Sequence, residues 1–137
     1  MITPDSSVAI AAAAPWHVAH EAAVAALSAD QPALIAHVAF ETTAALSRMP
    51  EGQRLSPAIV LGWLERRFPT AWLTLPVGAT RRGLHAAVQA GVRGGSLYDA
   101  LIAATAVHHK HALVSADRRA GPAYAAMAVD VIYLGSE

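Results

Sequence analysis

Cysteine is absent from the 137-residue chain. That excludes disulfides, thiolate metal sites and cysteine nucleophiles, and it suits a reducing compartment. Charge is scarce too: 10 Lys and Arg balance 10 Asp and Glu, giving zero net charge and a charged fraction of 15%. A protein that holds nucleic acid by bulk positive charge alone is therefore excluded. So is a disordered chain, because hydrophobic residues, many of them alanine, make up 55%. No run is long enough to span a bilayer; the apolar stretch 8–15 is short, follows Asp5 and lacks a basic flank. The expected location is the cytoplasm, with no membrane partner. Internal repeats, charge blocks and long linkers are missing as well. The length suits one domain, residues 1–137, able to bury roughly two-thirds of its chain surface.

Local signals alternate between strand and helix. A strand is expected to end at Asp5, with Ser6 or Ser7 capping a helix that runs to Ala14 and stops at Pro15. An alanine-rich amphipathic helix covers 17–27. After a turn at Asp30-Gln31-Pro32, residues 33–37 read as a short buried strand and 40–49 as a helix ended by Pro50. Ser56-Pro57 is an N-cap followed by proline at the first helical position, which starts a helix over 58–68. Residues 72–75 are rich in bulky side chains and read as a strand. Gly91 closes a helix over 78–90, and residues 96–109 form a helix with almost no polar face. A strand at 112–115, a weak helix at 119–127 containing Gly121-Pro122, and a strand at 129–134 complete the chain. This alternation implies right-handed βαβ units and a parallel sheet. Such a sheet is covered on both faces, which explains why several strands are apolar throughout.

Four carboxylates fall at positions of one kind. Asp5 ends the first strand, Glu41 lies in the first turn of the 40–49 helix, Asp99 stands near the start of the least polar helix, and Asp117 follows the 112–115 strand. In an open parallel sheet, the carboxyl ends of strands and the starts of the following helices share the edge where ligands bind. Four carboxylates converging there would repel one another, and some would stay protonated without a cation. Oxygen-only ligands favour Mg²⁺ or Mn²⁺ over zinc or copper. Each acid also has an ordinary use: Ser96 and Asp99 have capping-box spacing, Glu41 suits the helix dipole, and Asp5 and Asp117 suit strand-end turns. Yet no lysine or arginine lies within a helical turn of Asp5, Glu41 or Asp99. Asp99 also opens a helix that reads as buried all round, where a carboxylate needs a partner.

Four segments carry a resemblance: Ile2-Thr-Pro-Asp5-Ser-Ser-Val-Ala-Ile10, Phe40-Glu41-Thr-Thr-Ala-Ala-Leu46, Gly94-Gly-Ser-Leu-Tyr-Asp99-Ala-Leu-Ile-Ala-Ala-Thr-Ala106 and Ala112-Leu-Val-Ser-Ala-Asp117. Their order and spacing cover nearly the whole chain, which resembles a PIN-domain ribonuclease of the VapC toxin type. The resemblance implies a three-layer α/β/α sandwich around a central parallel sheet. It implies an acidic Mg²⁺ or Mn²⁺ site, cleavage of RNA such as tRNA or rRNA to a 3′-hydroxyl and a 5′-phosphate, a homodimer, and a cognate VapB antitoxin forming a toxin–antitoxin hetero-oligomer. Asp5, Asp99 and Asp117 are then the metal ligands, and Glu41 holds a second ion or orients water. In one departure from the family pattern, Arg118 and Arg119 follow Asp117 where a further Asp or Asn is frequent. The same fold without useful catalysis, as an RNA- or protein-binding module, and a DNA-directed nuclease are the alternatives.

Around this core, Ser7 and Ser115 place hydroxyls near the acids and suit a supporting role. Arg118 and Arg119 are the first choice for phosphate contact, and Arg81, Arg82 and Arg93 the second. Trp16, Leu46, Trp63 and Leu64 lie on alanine-rich helices and offer a groove to an amphipathic antitoxin segment. His108, His109 and His111 read as a helix terminus rather than a metal cluster, and His17 and His20 as surface or interface. Trp72, like the other two tryptophans, reads as core or partner contact. The glycines of 91–95 lack the lysine of a phosphate loop. A haloacid-dehalogenase-like phosphatase needs an aspartate where Ser7 stands, and a receiver domain needs a lysine ending a late strand, whereas the only lysine, Lys110, precedes one.

Overall fold

The computed structural model describes residues 1–28 and 31–135; the start of the turn expected at Asp30 lies outside them. The described elements run β1 (Ile2–Pro4), α1 (Ser6–Ala13), α2 (His20–Ser28), α3 (Ala36–Ser47), α4 (Pro57–Arg67), α5 (Val77–Gln89), α6 (Ser96–His108), β2 (Ala112–Ser115), a 3₁₀ turn (Arg118–Ala120), α7 (Gly121–Ala126) and β3 (Val131–Tyr133). The strands form a parallel sheet in the order β1-β2-β3, with Thr3 opposite Leu113 and Val114 opposite Ile132. The expected parallel α/β sandwich is the observed fold. Both α1 and α6 pack on β2; α1 gathers α2 and α3, α3 gathers α4, and α6 gathers α5 and α7.

Two expected strands shrink to a single bridge. Ile35 pairs with Leu73 in parallel, and nothing else of 33–37 or 72–75 is laddered. The cause is Pro4. Thr3 and Asp5 face β2, where the Asp5 N–H reaches the Val114 carbonyl at 2.9 Å. Residues Ile2 and Pro4 face the other way: the Ala33 N–H donates to the Ile2 carbonyl at 3.0 Å. The next rung would need an N–H on Pro4, which proline lacks. The Thr3 hydroxyl donates to the Ala33 carbonyl instead, at 2.9 Å. The chain then enters α3 at Ala36, so Glu41 stands in the second helical turn and not the first.

The core is aliphatic. Val8, Leu27, Leu34, Val38, Leu46, Ile102 and Leu113 are completely buried, each stabilising the fold by about 1.5–3 kcal/mol relative to exposure. Leu46 and Leu64 belong to this core, and Leu46 is not available as a partner surface. The exposed apolar groove lies instead between α3 and α4, where Phe40, Leu61 and Trp72 line it with Leu64 at its floor. Trp63 meets Phe68 edge-on at 6.0 Å, and the Trp72 indole N–H donates to the Phe68 carbonyl, so both are packing residues as expected. Gly91 closes the α5 end with φ of +81°, a left-handed conformation that glycine adopts without strain. The structure has no described helix long and apolar enough to cross a membrane.

Candidate active site

Asp5, and not Ser6 or Ser7, caps α1. It is in extended conformation, and its Oδ1 accepts from the Val8 N–H at 3.2 Å. The chain turns at the strand end, so the cap falls on the first residue past β1. The carboxylate is 2% exposed and held by two further donors. The Ser7 hydroxyl donates to Oδ1 at 2.5 Å, and the Tyr124 hydroxyl donates to Oδ2 at 2.7 Å. Ser7 also accepts from the Ala116 N–H at 2.9 Å, tying the end of β2 to the start of α1. Burial and the charge of Asp5 hold the Tyr124 phenol far above its ordinary range, so it remains a donor.

Asp117 caps the 3₁₀ turn. Its Oδ1 accepts from the Arg119 N–H at 3.0 Å, and the Arg119 guanidinium lies 3.3 Å from the same oxygen. Ser115, fully buried, accepts from the Asp117 N–H at 3.0 Å and sets the backbone there. Ser7 thus holds a carboxylate directly, whereas Ser115 touches only the backbone of its acid.

Asp99 is free of the capping box that its spacing with Ser96 allows. The α6 N-cap is Gly95, and no side chain caps that helix end. Burial, and then the negative charges of Glu41, Asp117 and Asp5, push the Asp99 carboxyl up to about 6. Four acids from distant parts of the chain therefore share one electrostatic environment. Among the described residues, no three His, Asp or Glu side chains are already drawn in around a single point as ligands of an ion. The donor set nevertheless fits a hard divalent cation. The Glu41 Oε1 is buried with no hydrogen-bond partner, and burial together with the neighbouring acids raises the Asp99 carboxyl.

The residues that sequence reasoning missed are His37 and Tyr124. His37 Nε2 lies 3.4 Å from Glu41 Oε2, and its ring stacks on Tyr98, centroids 5.5 Å apart and planes 8° apart. The i,i+4 spacing of His37 and Glu41 is a usable signal only once the helix is known to begin at Ala36. Tyr124 carries no local signal; its partner is 119 residues away.

The arginines separate into two groups. Arg118 and Arg119 line an open groove with Ser7, His17 and Asp117, and the Arg118 guanidinium sits 4.4 Å above the Tyr133 ring. His17, expected at the surface or an interface, is thus beside the site. Arg81 and Arg82 are exposed on the first half of α5, where a Cβ on neighbouring Gly83 would meet the Ala104 side chain at 3.3 Å. Ala104 is five residues beyond Asp99, about 7 Å along the helix axis. Among the described residues no hydrogen bond or ion pair joins that pair to the acids, and Arg93 lines a different hollow with Ser96 and Pro122. Three further histidines bond to backbone carbonyls: His20 Nδ1 pairs with the Ala11 carbonyl, His109 Nε2 with the Thr74 carbonyl and His111 Nδ1 with the His109 carbonyl.

Residues 2–125 match the family described as PIN domain. Ribonuclease VapC40 of Mycobacterium tuberculosis is 38% identical over 131 residues, covering 96% of this chain and 97% of its own. Ribonuclease VapC27 of the same species is 36% identical over 128 residues, covering 93% of each. Among solved structures, FitAcB from Neisseria gonorrhoeae matches with a TM-score of 0.70 at 20% identity over 96% of both chains. FitAB bound to an IR36 DNA fragment matches with a TM-score of 0.72 at 20% identity, covering 97% of this chain and 94% of that one.

Proposed function

The chain belongs to the PIN-domain family, among the VapC ribonucleases, and on that premise we propose that it is an Mg²⁺- or Mn²⁺-dependent endoribonuclease toxin, acting on tRNA or rRNA and neutralised by a VapB-type antitoxin. The observation that carries this reading is the raised Asp99 carboxyl, whose causes after burial are Glu41, Asp117 and Asp5. Asp5, Asp99 and Asp117 would hold the cation, and Glu41 would complete the charge around it or orient the attacking water. A divalent ion so held supplies acidity to a water and relieves charge on the phosphate and the leaving oxygen.

The protein's own groups position these acids. Ser7, Val8 and Tyr124 lock the Asp5 carboxylate in one orientation. Ser115 sets the backbone of Asp117, and His37 Nε2 lies 3.4 Å from Glu41 Oε2. Arg118 and Arg119 border the groove beside Asp117, where an RNA backbone meets its charge-assisted donors. The α3–α4 groove, with Phe40 77% exposed, suits the apolar face of an amphipathic antitoxin helix.

The test is RNA cleavage with Mg²⁺ or Mn²⁺ by the wild type, Asp5→Ala and Asp99→Ala. Single-stranded DNA of the same sequence separates an RNase from a DNA-directed enzyme. Cleavage undiminished in both variants rules out this mechanism.

A further inference from the structure

We propose that Tyr98, backed by His37, is a stacking platform that seats a base of the RNA beside the phosphate being cleaved. The proposal rests on the ribonuclease reading above and adds to it a residue that positions substrate. Tyr98 immediately precedes Asp99 on α6, so the two Cα atoms are about 3.8 Å apart. The residue is 57% exposed. One ring face is taken: the His37 imidazole lies nearly parallel to it, 8° between planes and 5.5 Å between centroids. His37 Nε2 lies 3.4 Å from Glu41 Oε2 without a hydrogen bond of its own. The stacked pair therefore bridges α3 and α6, the two helices that carry Glu41 and Asp99.

A fixed aromatic ring with an accessible surface is what a base-stacking contact requires. An aromatic ring loses few rotamers on binding, and bases of any identity stack on it. The need is specific to this chain. With zero net charge, it cannot hold a polyanion by bulk attraction, so affinity must come from contacts near the site. Arg118 and Arg119 provide phosphate contacts on the Asp117 side, and Tyr98 provides a base contact on the Asp99 side. The rim of the ring borders an apolar groove between α5 and α6, lined by Leu84, Leu97 and Leu101. A second copy of the chain covering that rim is the competing use of Tyr98.

The experiment is steady-state cleavage of short single-stranded RNAs by the wild type, Tyr98→Phe and Tyr98→Ala. Each RNA is made intact and with one abasic residue at each position flanking the cleaved bond. Tyr98→Phe is expected to match the wild type. Tyr98→Ala is expected to raise KM roughly 10-fold with little change in kcat. One abasic position should weaken the wild type by a similar factor and leave Tyr98→Ala unaffected. An unchanged KM in Tyr98→Ala overturns the platform, as does an equal loss on intact and abasic RNA at every position. A shift in oligomeric mass for Tyr98→Ala, read by light scattering, without a change in KM assigns the ring to a second copy instead. Failure of the wild type to cleave these RNAs and also intact tRNA and rRNA contradicts the ribonuclease reading itself, and the platform falls with it.

Discussion

The Tyr124 hydroxyl donates to Asp5 Oδ2 at 2.7 Å and joins the first strand to the last helix. Tyr124 is 2% exposed, and its phenol stays protonated beside the carboxylate. Removing that hydroxyl leaves a buried carboxylate oxygen without its donor. Tyr124→Phe should lower stability by about 1–3 kcal/mol in urea denaturation and weaken the binding of Mn²⁺. A variant as stable as the wild type would show that the bond is not formed in solution.

Asp99 predicts an unusual pH profile for the metal-free protein. Its carboxyl rises from the ordinary 3.8 to about 6, so the native state binds more protons than the unfolded chain between those values. Stability contributed by Asp99 therefore falls as pH rises through that window. Asp99→Asn should abolish cleavage, flatten this part of the profile and raise the metal-free Tm at pH 7.5 by a few degrees. A lower Tm for the variant would contradict the crowding of charges at the site. Saturating Mg²⁺ should stabilise the wild type, by about 2.7 kcal/mol at a hundred times Kd, and stabilise Asp99→Asn far less.

Arg119 is almost fully exposed, and its ion pair with Asp117 is of the surface kind. Arg119→Ala should therefore change stability by under about 0.5 kcal/mol. RNA affinity should fall, and the slope of log affinity against log salt should flatten by about 1. Equal salt slopes for the two proteins would remove Arg119 from the RNA interface.

Leu61 lines the α3–α4 groove and is partly exposed. Leu61→Asp should keep cleavage activity yet escape neutralisation when its antitoxin is co-expressed, with growth of the host as the readout. Full rescue by the antitoxin would place the partner elsewhere.

Two of the acids stand out in the sequence. Asp99 interrupts an almost wholly apolar helix, and Asp117 follows a strand whose bounds, Ala112–Ser115, the sequence reading matched. Ser56 and Pro57 likewise announce the start of α4. What stayed hidden depends on contacts that no local pattern encodes. The N-cap of α3 is Ile35, which has no capping side chain, so nothing marked the helix start and His37 was read as strand. Proline at position 4 weakened the neighbouring ladder from a distance of about 30 residues, through the Thr3–Ala33 bond. Gly121-Pro122 falls inside the helix expected at 119–127, whereas in the structure proline sits in the first turn of α7 and starts it, which carries Tyr124 to Asp5.

The central claim is that Asp5, Glu41, Asp99 and Asp117 act together on one cation. Calorimetric titration of Mn²⁺ into the wild type, Glu41→Gln and Asp99→Asn at pH 7.5 tests it most directly. Saturable binding by the wild type, at least roughly 10-fold weaker in each variant, is the predicted result. Heats in the wild type that never saturate, or affinities that both substitutions leave unchanged, would contradict it.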